Sequence, residues 1–393
     1  MAKVANKDFF LKQKIHSKIK LDLFGKTLAC ALAIAGTQAN RNSSESSFHY
    51  LDLFAGEGQY VEGDTGSPFI AIEKCINQIS NPVNNLNRFR LIFVEKDRDS
   101  IQTLQRNITN QYKNSLNENI AIEFIGNEWE DVINDLRNKM SSSEWGFVFA
   151  DPFSTELNIR SFESAFNSVS ELKDYMILFN FQAIKRIMGS SRANYKIIED
   201  CCGIKVEDLD KDENRITQIQ ESIKRRLHFK KFQIGVAITS SRREELLVSD
   251  YFYLVLATSS LGVIDGFLKA YENVINDTRQ SLIQRPLPFS PNESNILDTK
   301  IIEILKDNPK KITYEELSAE LFNTFISWGK SVRLPGYIIP SSKNINKALS
   351  RLAIGQKIDI FAPAHLRNRR EPNRLKIVKS NHAAREIYIQ YRG

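Results

Sequence analysis

The chain has 393 residues, 26% charged and 42% hydrophobic, the composition of a folded water-exposed protein of two or three domains. No apolar run approaches the ~20 residues needed to cross a bilayer, and no secretory leader pattern opens the chain, so a cytoplasmic location is expected. The net charge of +7 is uneven: residues 281–393 hold nineteen basic against ten acidic residues, and the remainder is near neutral.

Residues 8–35 carry Phe9, Phe10, Ile15, Ile19, Leu23 and Leu28 near helical spacing with lysines between, which predicts one or two helices. A polar loop over 36–47 follows. Phe48–Phe54 is a short, bulky apolar run, as expected of a strand buried on both faces of a parallel sheet. Ser67-Pro68 opens a helix, with Ser67 as N-cap and Pro68 at the first position. Further strands are predicted at 90–97, 120–125, 145–150 and 175–181, with helices at 100–112, 130–139 and 160–171 between them. A charged helical insertion spans 182–231, then two strands, 232–239 and 251–258, precede a helix over 262–276. This alternation predicts a Rossmann-like α/β fold, a doubly wound sheet of seven strands whose last strand is antiparallel. The expected division is a first domain over 1–280, a Pro- and Ser-rich linker over 281–296 and a basic domain over 297–393.

The first strand ends in Asp52-Leu53-Phe54-Ala55-Gly56-Glu57-Gly58. Glycine permits a sharp turn and close approach to a ligand at the carboxyl edge of the sheet. The dinucleotide fingerprint needs a third glycine where Val61 stands, and no Gly-Lys-Ser/Thr follows for a P-loop. What remains resembles the first motif of class I S-adenosylmethionine (SAM)-dependent methyltransferases. Glu95 ends the second strand, where an acid can accept both ribose hydroxyls of a nucleoside cofactor, with Lys96 next to it. Asn127 follows the third strand, placed to bond an adenine amino group, with Trp129 near enough to stack. Asp52, inside the first strand, needs partners if buried. Asp151-Pro152-Phe153-Ser154 ends the fourth strand. It resembles in part the Asp/Asn-Pro-Pro-aromatic turn of amino-methyltransferases acting on bases, with Phe153 in the third position; the resemblance implies that Asp151 and a backbone carbonyl accept from an amine and that Phe153 stacks on the base, and a plain strand-end turn is the alternative. The expected cofactor set is therefore Asp52, Phe54, Ala55, Gly56, Gly58, Glu95, Lys96, Asn127 and Asp151, and the expected catalytic set Asp151, Pro152 and Phe153. The four cysteines lack zinc-ligand spacing; no metal is expected, and they read as reduced thiols.

His49 to Gly58 with Tyr60, then Gly66-Ser67-Pro68, Phe93 to Asp97 and Asp151-Pro152-Phe153 together resemble the three-Cys-motif partner (TcmP) proteins, which are bacterial and methyltransferase-like. The likeness spans about residues 8–276. Glu57 and Gln59 stand where the family often has Pro and Arg, and Ser154 where it often has Gly. The resemblance implies a class I methyltransferase fold binding SAM, and a three-cysteine-motif protein as partner. It leaves open whether the chain transfers methyl groups or is a non-catalytic partner subunit.

In the basic region, Leu297–Asp307, Thr313–Phe322 and Asn344–Ala353 read as helices, the second with a capping box of Thr313 and Glu316. Lys357–Phe361 and Leu375–Val378 read as strands around a basic turn. Three helices and a β wing form a winged-helix-like pattern. It would present Lys343, Asn344, Asn346, Lys347 and Arg351 to DNA or RNA, with Arg367, Arg369, Arg370 and Arg374 on phosphates. A module that packs on other protein is the alternative.

Overall fold

The structure, a computed structural model, describes residues 15–39, 46–59, 65–113, 115–116, 118–143, 145–169, 172–189, 194–209, 215–239, 251–282, 294–325, 342–363, 384 and 386–392. In chain order it contains α1 (Ile15–Gln38), β1 (Ser47–Asp52), α2 (Ser67–Ile79), β2 (Arg88–Val94), α3 (Arg98–Tyr112), β3 (Ile120–Ile125), α4 (Ile133–Ser141), β4 (Trp145–Ala150), α5 (Ile159–Phe166) and β5 (Lys173–Asn180). Then come α6 (Phe181–Met188), α7 (Tyr195–Cys202), α8 (Arg215–Arg226), β6 (Phe232–Thr239), β7 (Tyr251–Thr258) and α9 (Leu261–Leu282).

The seven strands form one sheet in the order β3-β2-β1-β4-β5-β7-β6. β1 to β5 pair in parallel, and β7 runs antiparallel to β5. That order, with β7 antiparallel to β5, is the one expected of a class I methyltransferase sheet. β4 and β5 are buried along almost their whole length, which explains their unbroken apolar runs. The neighbours β1 and β4 mark where the winding reverses, so a crevice opens beyond their carboxyl ends.

α1 lies across β1 and β4. Its Phe24 ring sits 4.3 Å, centroid to centroid, from Phe149 and about 6 Å from Tyr50 and Phe147. Burying such a ring contributes roughly 1.5–3 kcal/mol, and here it also sets the helix register over the sheet. The helix runs to Gln38, so the polar loop begins later than expected. Ser67 is not the cap of α2: Gly66 holds that place, and Ser67 begins the helix.

The chain divides into two compact units, residues 1–230 with 235–259, and residues 231–234 with 260–393. α9 thus groups with the second unit, where the Asp265 carboxylate accepts from the backbone N–H of Ser342 at 2.8 Å. That unit also holds α10 (Ser294–Asp307), β8 (Ile312–Thr313), α11 (Tyr314–Phe325), α12 (Ser342–Ile354), β9 (Ile358–Phe361) and β10 (Tyr388–Tyr391). The capping box is complete: Thr313 N–H donates to the Glu316 carboxylate at 2.7 Å, and Glu316 N–H to the Thr313 hydroxyl at 3.1 Å. β8, β10 and β9 form an antiparallel sheet. β9 pairs with Tyr388–Tyr391; the strand expected at 375–378 lies outside the described residues.

Candidate functional site

A cleft of about 590 Å³ opens beyond the carboxyl ends of β1, β2 and β4, within the first unit. It falls in the size range of sites that enclose a small organic ligand or cofactor. Phe54, Ala55, Gly56, Gly58, Glu95, Lys96, Asn127, Asp151, Pro152 and Phe153 all line it, so the structure brings together all but one of the expected cofactor and catalytic residues.

The exception is Asp52, which has no exposed surface and lies beneath the loop. Its carboxylate accepts from the Tyr50 hydroxyl at 3.0 Å and from Phe54 N–H at 3.2 Å. Burial pushes it up to about 7, against opposing hydrogen bonds from Ser67, Phe54 and Tyr50. Ser67 thus serves the acid of β1 instead of capping its own helix.

The loop after Asp52 turns on two left-handed glycines, Gly56 at φ +59° and Gly58 at φ +77°. The space around Gly56 is open, but a Cβ on Gly58 would come within 2.3 Å of Leu104 and 2.8 Å of Phe69. Gly58 therefore serves both backbone conformation and packing.

Glu95 ties this loop to β2. Its carboxylate accepts from Gly56 N–H and Asp97 N–H, each at 3.0 Å. Burial raises it above the ordinary carboxylate range, and the two N–H donors oppose the rise. Asp97 caps α3 by accepting from Ser100 N–H at 3.2 Å. Lys96 pairs with Glu156 at 3.0 Å and Glu128 at 3.9 Å. Against the burial that lowers it, Glu156, Glu128 and Glu95 hold the Lys96 ammonium above its ordinary value. Asn127 is exposed in the wall. Trp129 is buried and packs edge-on to Phe162, so little of its face is free to stack; its indole N–H has no partner among the described residues.

At the acceptor end, Pro152 is buried and Phe153 is 53% exposed. Asp151 forms an ion pair with Lys20 of α1, one of the lysines that stand between the apolar positions of that segment in the sequence. The only sequence signal was spacing: Lys20 precedes Phe24 by one turn, on the face that covers β4. Six carboxylates line the cleft against Lys20, Lys96 and Arg186; Lys20 pairs with Asp151, and Lys96 with Glu156 and Glu128. No metal-holding cluster of His, Cys, Asp and Glu occurs among the described residues. Among the described residues no disulfide joins the cysteines: Cys75, Cys201 and Cys202 are buried thiols and Cys30 is part-exposed.

In the second unit, Lys347 is exposed on α12, while Asn346 is buried and so does not face outward as expected. Arg351 is held by Asp298 of α10 at 2.6 Å, which neutralises it. Lys343 lies in the first turn of α12. Arg367, Arg369, Arg370 and Arg374 lie outside the described residues.

No protein-family model and no curated protein matches the chain, so the likeness to TcmP proteins stands on the quoted motifs alone. Among solved structures, the chain is similar to a DUF519-family protein from Legionella pneumophila at 12% identity, over 68% of this chain and 92% of that one, with a TM-score of 0.39. It is similar to spermidine synthase from Thermotoga maritima at 9% identity, over 66% and 74%, with a TM-score of 0.34. It is also similar to the plantazolicin methyltransferase solved in complex with a pentazolic desmethylPZN analog and S-adenosylhomocysteine (SAH), at 11% identity, over 61% and 85%, with a TM-score of 0.29. The fold assignment rests on strand order and direction, not on these likenesses. No helix among the described residues is long and apolar enough to cross a membrane.

Proposed function

We propose that the protein is a SAM-dependent methyltransferase acting on an amino group of a nucleic acid. The observation that carries this reading is one cleft at the β1–β4 switch point with three features. It has a left-handed glycine loop, an acid hydrogen-bonded to that loop and an Asp-Pro-Phe turn at its open end. When bound, SAM supplies a methyl group activated by its sulfonium for direct displacement. Glu95 and Asn127 would hold its nucleoside part, and the Phe54–Gly56 loop its methionine part. The free oxygen of Asp151 accepts from the acceptor N–H and orients its lone pair, while the exposed Phe153 ring offers a surface for a planar base.

Charge supports the choice of acceptor. The winged-helix-like basic region would recruit the polyanion through Lys347 and the arginines at 367, 369, 370 and 374. A non-catalytic subunit that pairs with a three-cysteine-motif protein is the second reading; Asp151 being engaged by Lys20 is the observation that favours it.

Calorimetry on the full chain tests the first reading. SAM or SAH should bind with a micromolar Kd, about −8 kcal/mol, and Glu95→Ala should weaken binding at least tenfold by releasing Gly56 N–H and Asp97 N–H. Absence of binding overturns the reading. Transfer of tritiated methyl to DNA or RNA then separates enzyme from partner subunit: labelled nucleic acid sinks the second reading, and cofactor binding without label sinks the first.

A further inference from the structure

Asp151 leaves β4 with one carboxylate oxygen already engaged. Lys20 reaches it from α1, 131 residues earlier in the chain, and donates to Oδ2. Lys20 is only 8% exposed, and Ser17 and Leu21 on the same helix face line the cleft beside it. The placement is fixed by packing, because Phe24, one turn on, is stacked on Phe149, two residues before Asp151. Oδ1 of Asp151 has no partner among the described residues. The next carboxylate along this wall, Glu156, is paired with Lys96.

An alkylamine acceptor arrives as an ammonium ion. To bind it in a part-buried cleft requires a carboxylate without a cation of its own. A neutral amino group on an aromatic ring requires only a hydrogen-bond acceptor and a surface to stack on. Asp151 Oδ1 and the half-exposed Phe153 ring offer those two things. We propose that Lys20 determines specificity: by neutralising Asp151 it admits a neutral, planar amino acceptor and rejects an ammonium. This rests on the methyltransferase reading above and narrows its acceptor to one chemical class.

The test compares two ligands on the full chain by calorimetry. SAH has an uncharged sulfur; sinefungin has a carbon bearing an ammonium where SAM carries its sulfonium methyl. In the wild type the two should bind within about threefold of each other, since the ammonium meets a neutral pair. Lys20→Met should leave SAH affinity within twofold and raise sinefungin affinity at least tenfold, about 1.4 kcal/mol. Lys20→Arg should behave as wild type, and the double variant Lys20→Met/Asp151→Asn should lose the gain. Lys20→Gln carries the same expectation and serves if Lys20→Met does not fold. A ratio that does not move in Lys20→Met and Lys20→Gln overturns the proposal, as does a wild type that already prefers sinefungin tenfold. In either case SAH still binds and the methyltransferase reading survives; a wild type that binds neither ligand overturns both.

Discussion

The two edges of the central sheet use the same kinds of group for opposite ends. At the carboxyl edge, Glu95, Asp151 and Lys96 find partners in loops and in α1, and each still faces a cleft. Towards the amino edge the partners come from strands and helix ends, and they close the space. His49 donates from Nδ1 to the carbonyl of Lys139 at 2.8 Å; burial lowers it to about 4, against that hydrogen bond. Lys173, with no exposed surface, donates to the carbonyl of Ser143, and Thr258 donates to Asp174. Polar groups at one edge are left with spare capacity, and at the other they are used up. Substitutions at the first edge should therefore damage chemistry and spare the fold, and at the second the reverse.

The largest expected effect is at the open edge. Asp151→Ala should lower methyl transfer by a thousandfold or more, about 4 kcal/mol in the barrier. Its melting temperature and SAM affinity should stay near wild type, because Asp151 faces the cleft and the space its carboxylate vacates lets water reach the Lys20 ammonium. Tritium transfer and calorimetry on the same preparation check this. A variant that melts early, or that loses SAM binding in step with activity, would place Asp151 among the structural residues and erase the contrast between the edges.

Asp52 stands between the two behaviours, buried like the amino-edge groups but directly under the loop. Its carboxyl is pushed up to about 7, while an unfolded aspartate titrates near ~3.9. The folded state therefore keeps a proton that the unfolded state releases as pH rises through that window. The stability this confers is complete at low pH and lost by the time pH passes 7, a change of up to about 4 kcal/mol. Asp52→Asn carries no such proton and should lack this loss. Its stability relative to wild type should be higher at pH 8 than at pH 5, by denaturant unfolding at both. An equal difference at the two values would mean that Asp52 is not held protonated.

The closed edge offers the converse. Lys173→Met removes a buried cation from Asp174 and from the Ser143 carbonyl. A loss of about 3 kcal/mol in stability is expected, with SAM affinity unchanged.

What the sequence made legible follows from how far each signal reaches. Gly56, Gly58 and Glu95 were readable because a strand end and its turn are local, and their residue types answer to backbone geometry and to position on the sheet. The strand order was readable because alternating strands and helices leave few topologies. Lys20 was not, since its partner lies 131 residues away and a lysine between apolar residues of a helix carries no mark of such a partner. Trp129 was placed in the right wall with the wrong face, because spacing locates a side chain but not the neighbour, here Phe162, that turns it inward. Ser67 shows the same limit: a serine before a proline is a good cap by local rules, and a buried carboxylate beside it was a stronger claimant for its hydroxyl.

The smallest expected effect separates packing from charge at the closed edge. Thr258 lies on β7 and Asp174 on the neighbouring β5, and both are buried. Burial raises Asp174 to about 6, while the Thr258 hydroxyl, Lys230 and Lys173 oppose the rise. Thr258→Val keeps the shape and removes the donor, so the folded carboxylate loses support and titrates higher still. The proton form needs that donor less. The cost of the variant should therefore be about 1 kcal/mol above pH 7, where wild-type Asp174 is ionised, and should shrink as pH falls below 6 and the acid takes up its proton. Denaturant unfolding of the two proteins at pH 5 and pH 8 measures it. A cost independent of pH would assign the loss to packing of the β5–β7 pair and leave the ionised Asp174 without a role in closing this edge.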